Sequence, residues 1–324
     1  MMTPSPSAIL ADIGATNARF ALLDGTDVGP VVTYPVADYA SPVEAVRAFL
    51  AGPARGHAPA LALLAAAGPV VDGRITMTNA AWTLDAGRIR QGLNLQNAKV
   101  LNDFEALGWA LPALRADDLF SLGGGTPGRH GTMAVMGPGT GFGLAAMAFA
   151  EGGDEAVLVT EGGHATLSSE SRREDAIILA LREQLHHVSI ERVLSGPGLV
   201  QLYHAIARVD RLTVPERISS EIVAAALGGD CEVSRETLEL FCAFLGSVAG
   251  NVALTLGARG GVLVGGGIAP RFAEFLRRSA FRERFESKGR MSSYLAQIPT
   301  AIIVRPDPAF VGLAYLARRS AGRS

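Results

Sequence analysis

Lys99-Val100-Leu101-Asn102-Asp103-Phe104-Glu105-Ala106-Leu107 is the stretch on which the reading of the chain turns. Val100 and Leu101 close an apolar strand, Asn102-Asp103 make the turn, and an amphipathic helix starts at once and stops near Leu111-Pro112. A carboxylate at the mouth of a strand-to-helix turn stands where open α/β sheets keep their ligands, so Asp103 is a candidate general base. Asn102 and Glu105 also have the spacing of a capping box, and Asp is itself a favoured N-cap. On this stretch alone, capping accounts for Asp103 at least as well as catalysis does.

Working outward, two hairpins carry glycine-rich loops. Ile9-Leu10-Ala11 runs into Asp12-Ile13-Gly14-Ala15-Thr16-Asn17 and then into Ala18-Arg19-Phe20-Ala21-Leu22-Leu23, closed by the turn signal Asp24-Gly25. This reads as strand, tight loop, strand; a dinucleotide-binding loop is followed by a helix instead. Gly14 lets the backbone approach a ligand closely, successive N–H groups can form an anion nest, and Thr16 and Asn17 add short donors. Asp12 is placed to hold Mg²⁺ through water. A plain turn explains the same residues in isolation. Thr132 to Met136 followed by Gly137-Pro138-Gly139-Thr140-Gly141 and the apolar run Phe142 to Phe149 repeats the pattern. Two such hairpins suggest duplicated halves whose loops clamp one nucleotide. A third run, Gly265-Gly266-Gly267, ends the strand Gly260 to Val264 and precedes Pro270 at a helix start, leaving room for a flat base or ribose.

A few polar residues suit a sugar. Glu161-Gly162-Gly163-His164 has the Glu-x-x-His spacing of a helical metal motif, but two central glycines argue against a helix. Glu161 and His164 read better as loop groups that bond hydroxyls. Glu191, within Ser189 to Leu194, stays open between a surface ion pair and a sugar ligand. Asn79 and Trp82 share a loop in which a packed Trp beside a turn Asn is the simpler reading.

The remaining pattern is structural. Ser41-Pro42-Val43-Glu44 opens a helix, and Asp72-Gly73 marks a hairpin between Val70-Val71 and Ile75-Thr76-Met77. Arg173 to Leu185 is amphipathic and closed by His186-His187, read as partners of the helix dipole. Ser195-Gly196-Pro197-Gly198 opens another helix. A long helix starts at Ser234 and carries Gly246 and Gly250, which suggests close packing against a neighbour. Phe310 to Arg319 is the last helix. Ala113 to His130 reads as a linker, which places a domain boundary just after Pro112.

Composition narrows the function classes. The chain has 324 residues, 48% of them hydrophobic and 19% charged, enough for two ordinary cores without metal or disulfide. Formal net charge is −2 and no basic stripe occurs, so no nucleic-acid partner is expected. Lys99 and Lys288 are the only lysines and neither follows a glycine loop, which excludes a Walker A loop and fits poorly with a protein kinase. Any phosphate site must then use backbone N–H groups, hydroxyls and a metal ion. Cys231 and Cys242 show no metal spacing, and Cys242 lies on an apolar helix face. Met1 to Ser7 lacks the features of a signal peptide, and no uncharged apolar run is taken to reach membrane-span length. A soluble, cytoplasmic protein without membrane contact is the expectation.

Taken in order, an Asp-x-Gly-x-Thr-Asn hairpin, Asn-Asp, a Gly-Thr-Gly hairpin, Glu-Gly-Gly-His and a triple glycine resemble the actin-like ATPase (ribonuclease H-like) fold and, within it, the bacterial glucokinases. The resemblance runs nearly end to end, strongest over Asp12 to Arg19, Leu101 to Glu105, Pro138 to Gly143, Glu161 to Ala165, Glu191 to Leu199 and Gly265 to Arg271. It implies two α/β domains flanking a cleft, a small one formed by residues 1–112 and about 305–324 and a large one formed by 113–304, and a homodimer. It implies that Gly14, Ala15, Thr16 and Asn17 contact ATP phosphates with Asp12 near Mg²⁺, that Gly139, Thr140 and Gly141 form the second phosphate loop, and that Gly265, Gly266 and Gly267 form the adenosine pocket. Asn102, Asp103, Glu161, His164 and Glu191 would hold glucose, with Asp103 as the base. Ala15 departs from the family pattern, where Gly is usual. The cysteine-rich zinc motif of the related ROK kinases is missing after His164, so structural zinc is not expected. The rival readings are a kinase for another hexose and a non-catalytic sugar sensor.

Overall fold

The computed structural model describes residues 7–77, 82–129, 131–150 and 153–321; Asn79 lies outside them. The chain divides into two units. The first comprises the described residues of Met1–Leu114 and Pro306–Ser324, the second those of Arg115–Arg305.

The first unit runs β1 (Ser7–Ile13), β2 (Asn17–Asp24), β3 (Asp27–Val28), β4 (Val32–Pro35), α1 (Pro42–Ala51), β5 (Leu61–Ala66), β6 (Arg74–Thr76), β7 (Thr83–Asp85), α2 (Ala86–Gly92), β8 (Asn97–Asn102) and α3 (Asp103–Ala110). Its sheet has the order β3-β2-β1-β5-β8, with β4 also paired to β2. β1 and β2 are antiparallel and put Asp12 opposite Arg19, whereas β1, β5 and β8 are parallel. Ile9, Ala11 and Ile13, alternating along β1, share a core with Val46 and Phe49 of α1 and Ile89 of α2. Ser41 caps α1 by accepting from Glu44 N–H at 3.2 Å. Asp72 and Gly73 both have positive φ and close the bridge between Val71 and Arg74, yet β6 takes β7 as its ladder partner. The turn signal is therefore real, and the pairing it suggests is confined to one bridge. Trp82 is buried and donates to the Tyr39 carbonyl at 3.0 Å, a packed residue.

The second unit runs β9 (Leu119–Gly123), β10 (Met133–Pro138), β11 (Phe142–Phe149), β12 (Glu155–Thr160), α4 (Arg172–Leu185), α5 (Ile190–Val193), α6 (Gly196–Val209), α7 (Ser219–Gly228), α8 (Glu232–Leu256), β13 (Gly261–Val264), α9 (Ala273–Arg278), α10 (Phe281–Glu286), α11 (Ser292–Ala296) and β14 (Thr300–Ile303). Its sheet has the order β12-β11-β10-β13-β14-β9. An antiparallel hairpin, β10–β11, again leads into parallel strands, β13 and β14. The succession β2-β1-β5-β8 of one unit is thus matched by β11-β10-β13-β14 of the other, the duplication that the two glycine loops suggest.

Two expectations are corrected here. The stretch from Ala113 to His130 is not a bare linker: Leu119 to Gly123 forms β9 and pairs antiparallel with β14. The edge strand was hidden because its partner lies near the other end of the chain. And one apolar run does reach membrane-span length: α8 is uncharged from Leu240 onward and, by length and composition alone, could cross a bilayer. It is a core helix instead, with Phe241, Cys242, Phe244 and Leu245 fully buried. It begins at Glu232, earlier than Ser234, which is buried inside it. Gly246 and Gly250 face the backbone of α10, where added Cβ atoms would stand 2.1 Å from the Phe281 carbonyl oxygen and 2.5 Å from that of Phe285. Burial pushes the Cys242 thiol up to about 12, so this cysteine is inert packing.

After β14 the chain returns to the first unit as α12 (Pro308–Ala321), which packs on α3 and crosses β1 and β5. A Cβ on Gly312 would stand 1.8 Å from the Ala106 carbonyl oxygen, so the two helix backbones touch. That contact fixes α3, and with it Asp103.

Candidate active site

Asn102 and Asp103 occupy the end of β8 and the first turn of α3. Asn102 is the cap: its Oδ1 accepts from the N–H groups of Phe104 at 2.8 Å and Glu105 at 3.3 Å, and its Nδ2 donates to the Gly68 carbonyl at 3.0 Å. Only half of the capping box forms, because Glu105 turns to Lys99 at 2.8 Å. Asp103 therefore is not the cap. It is half-buried, with Oδ1 accepting from Phe104 N–H at 3.0 Å, at a helix end where negative charge is favoured.

In the same unit, Gly14, Ala15, Thr16 and Asn17 form an exposed tip between β1 and β2. Gly14 N–H closes the hairpin on the Asn17 carbonyl at 2.9 Å, and Val36 N–H donates to the Thr16 carbonyl at 2.9 Å. The Gly14 donor is thus spent on the turn, which shifts the anion-binding reading onto Ala15, Thr16 and the Asn17 side chain. Ala15 is not among the positive-φ residues, so its backbone conformation does not call for Gly. At the base of the hairpin, Arg19 forms ion pairs with both Asp12 and Asp307. Burial pushes the Asp12 carboxyl above its ordinary range, Asp307 adds to the rise, and Arg19 pulls it back. Asp307, in the turn before α12, escaped the sequence reading because 288 residues separate it from Arg19.

The second unit gathers Glu161, His164 and Glu191. The turn Gly162–His164 follows β12, and β11 requires its second glycine: a Cβ on Gly163 would stand 2.2 Å from the Phe142 carbonyl oxygen, whereas the nearest atom to one on Gly162 would be the end of the Leu144 side chain, at 2.5 Å. Glu161 Oε2 and His164 Nε2 are 3.8 Å apart, and both side chains are exposed. Ile190 N–H donates to the Ala165 carbonyl at 2.9 Å, which ties α5 to this turn. Glu191, on α5, accepts from Phe142 N–H at 2.8 Å. Its ambiguity in the sequence is resolved on one point: it bonds the start of β11 rather than a surface cation. Among the described residues no group of three metal-ligating side chains forms.

Gly139 and Thr140 line an open cavity of about 850 Å³ together with Gly196, Pro197, Arg217, Ser219, Gly267 and Arg271. The first turns of α6 and α7 reach it, and helix N-termini favour anions. Of the triple glycine, Gly267 is on the wall. Gly266 packs instead on β10, where a Cβ would stand 2.4 Å from the Pro138 carbonyl oxygen, and Gly265 carries its carbonyl against Gly137. Arg217 and Arg271, absent from the sequence-derived set, carry no local motif; only the fold brings them to the cavity.

The family model described as Glucokinase matches residues 9–320. The glucokinase of Paramagnetospirillum magneticum is 47% identical over 314 residues, covering 96% of this chain and 98% of that one. The bifunctional protein glk of Paraburkholderia xenovorans is 40% identical over 320 residues, and there the chain spans 50% of the longer relative. The crystal structure of a glucokinase from an Antarctic psychrotroph superimposes with a TM-score of 0.90 at 37% identity, over 97% of this chain and 99% of that one.

Proposed function

The chain belongs to the glucokinase family, with its actin-like ATPase fold, and on that premise we propose that it transfers the γ-phosphoryl group of MgATP to the 6-hydroxyl of D-glucose, giving glucose 6-phosphate and ADP at the entry to glycolysis. The observation that carries the catalytic assignment is the division of labour at β8–α3. Asn102 supplies the main cap, and Asp103 presents its half-buried carboxylate in the first turn of α3, the position from which it would serve as the base.

Phosphoryl transfer passes through a loose transition state, so positioning and charge neutralisation dominate. Asp103 accepts the proton of the attacking hydroxyl and aims its oxygen. Asn102, Glu161, His164 and Glu191 take the other hydroxyls; a site that hydrogen-bonds each hydroxyl rejects a sugar that leaves one partner unpaired. Ala15, Thr16 and Asn17 with Gly14, and Gly139, Thr140 and Gly141, are the two phosphate loops, and the cavity beside Gly267 takes the adenosine. Mg²⁺ enters with ATP. Asp12 is engaged by Arg19, which supports contact with the ion through water rather than direct ligation. The small domain of residues 1–112 and about 305–324, a homodimer and a cytoplasmic location belong to the same reading.

The test is sugar-dependent ADP release from MgATP with glucose, mannose, fructose and N-acetylglucosamine in parallel. Glucose is expected to be preferred strongly. Turnover on another sugar alone would reassign Glu161, His164 and Glu191, and ATP binding with no turnover would favour a sugar sensor. In the active enzyme, Asp103→Ala should lower kcat by about 10²–10⁴-fold while ATP still binds; near-normal turnover would remove Asp103 from the chemistry.

A further inference from the structure

Gly139, Thr140 and Gly141 are consecutive, yet their surroundings differ. Gly139 and Thr140 lie on the cavity wall, and a Cβ on Gly139 would meet nothing within 4 Å. Gly141 is not among the residues lining that cavity. A Cβ on Gly141 would stand 2.4 Å from Oε2 of Glu191 and 3.2 Å from its carboxyl carbon. The same Oε2 accepts from the N–H of the next residue, Phe142, at 2.8 Å. The carboxylate therefore lies along the bare Cα of Gly141, pinned by the peptide that follows.

We propose that Gly141 is a positioning residue of the acceptor site: its missing side chain and the Phe142 N–H together aim Glu191 at a sugar hydroxyl. This rests on Glu191 being a sugar ligand. A carboxylate has two oxygens, each with two acceptor positions. Spending one on Phe142 N–H leaves Oε1 for a hydroxyl donor and freezes the rotamer before sugar arrives, which lowers the ordering cost of binding. A methyl at Gly141 displaces the carboxylate and forfeits both gains. The loop then has two functions divided by residue, with the first glycine turned to the nucleotide and the last to the sugar.

The experiment compares Gly141→Ala with the wild-type chain in steady-state kinetics and in glucose binding without nucleotide. Glucose KM should rise about tenfold or more, the size of a lost charge-assisted hydrogen bond, with a smaller change in ATP KM. Glucose affinity in the absence of nucleotide should fall by a similar factor. Combining Gly141→Ala with Glu191→Asp, whose shorter side chain clears the new methyl, should cost less than the sum of the two single changes. A rise in ATP KM with glucose affinity intact overturns the proposal. If Gly141→Ala does not fold, the Gly141→Ala/Glu191→Asp double variant carries the test: it should fold and bind glucose about as well as Glu191→Asp alone, and its failure to fold would show that Glu191 is not what the methyl displaces and overturn the proposal. Glu191→Ala separates the premise from the inference. If it leaves glucose affinity intact, Glu191 is no sugar ligand; if it lowers affinity while Gly141→Ala does not, only the role of Gly141 fails.

Discussion

The β1–β2 and β10–β11 hairpins look alike in sequence and differ in how they are held. In each, the first loop glycine closes the turn with its own N–H, Gly14 on Asn17 and Gly139 on Gly141. In each, a loop carbonyl accepts from outside, Thr16 from Val36 and Gly139 from Gly196. The first loop is otherwise an exposed tip on a base clamped by Arg19 between two carboxylates. The second is held at its two ends, where Gly137 abuts Gly265 and Glu191 lies along Gly141 and bonds Phe142 N–H, while Gly139 and Thr140 between them face the open cavity. Equivalent loops in duplicated halves thus carry unequal mechanical loads. The first should tolerate change at its tip and resist it at its base, and the second should resist change at Gly137 and Gly141.

The largest effect should come from Gly137→Ala. The new Cβ would stand 2.0 Å from the Gly265 carbonyl oxygen, a backbone atom that cannot step aside. Overpacking of this kind should cost about 3 kcal/mol, read as a lower urea midpoint. A loss under about 0.5 kcal/mol would show that the second hairpin is no tighter than the first.

Arg19→Met should come next. It strips the partner from Asp12, whose side chain is 15% exposed, and leaves Asp307 facing it. Because Arg19 is itself partly exposed, the cost should be near the lower end for a broken ion pair, about 1–2 kcal/mol. Adding Asp12→Asn should restore part of that stability; no restoration would mean that Arg19 acts through packing alone.

The smallest effect should be that of Ala15→Gly. Ala15 is exposed and its φ is not positive, so the exchange relieves no strain and only loosens the unfolded and folded loop, by at most about 1 kcal/mol. ATP KM should move by less than about twofold. A large gain in ATP affinity would mean that the methyl of Ala15 stands where phosphate binds.

Much of the fold was legible because its signals are local. Apolar runs of strand length flank each glycine loop, Ser41 and Asn102 cap the helices that they precede, and Asn102-Asp103 marks the end of β8. Glu161, His164 and Asp103 were nameable for the same reason, as polar residues at strand ends. β9 was not legible, since a short edge strand is defined by its partner, β14, far along the chain. Nor were Asp307, Arg217 and Arg271, whose neighbours in sequence say nothing of the side chains and cavity they face.

Residue order by itself determined the duplicated hairpins, the candidate base and the absence of a Walker A lysine, because turn chemistry, capping and strand alternation act over a few residues. Tertiary structure decided what each of those residues touches. Whether Glu191 faces water or the start of β11, whether Gly141 makes room for a phosphate or for a carboxylate, and which acids share Arg19 all depend on close approaches between distant segments. Those approaches are set by the excluded volume of backbone against backbone, to which the local pattern is blind.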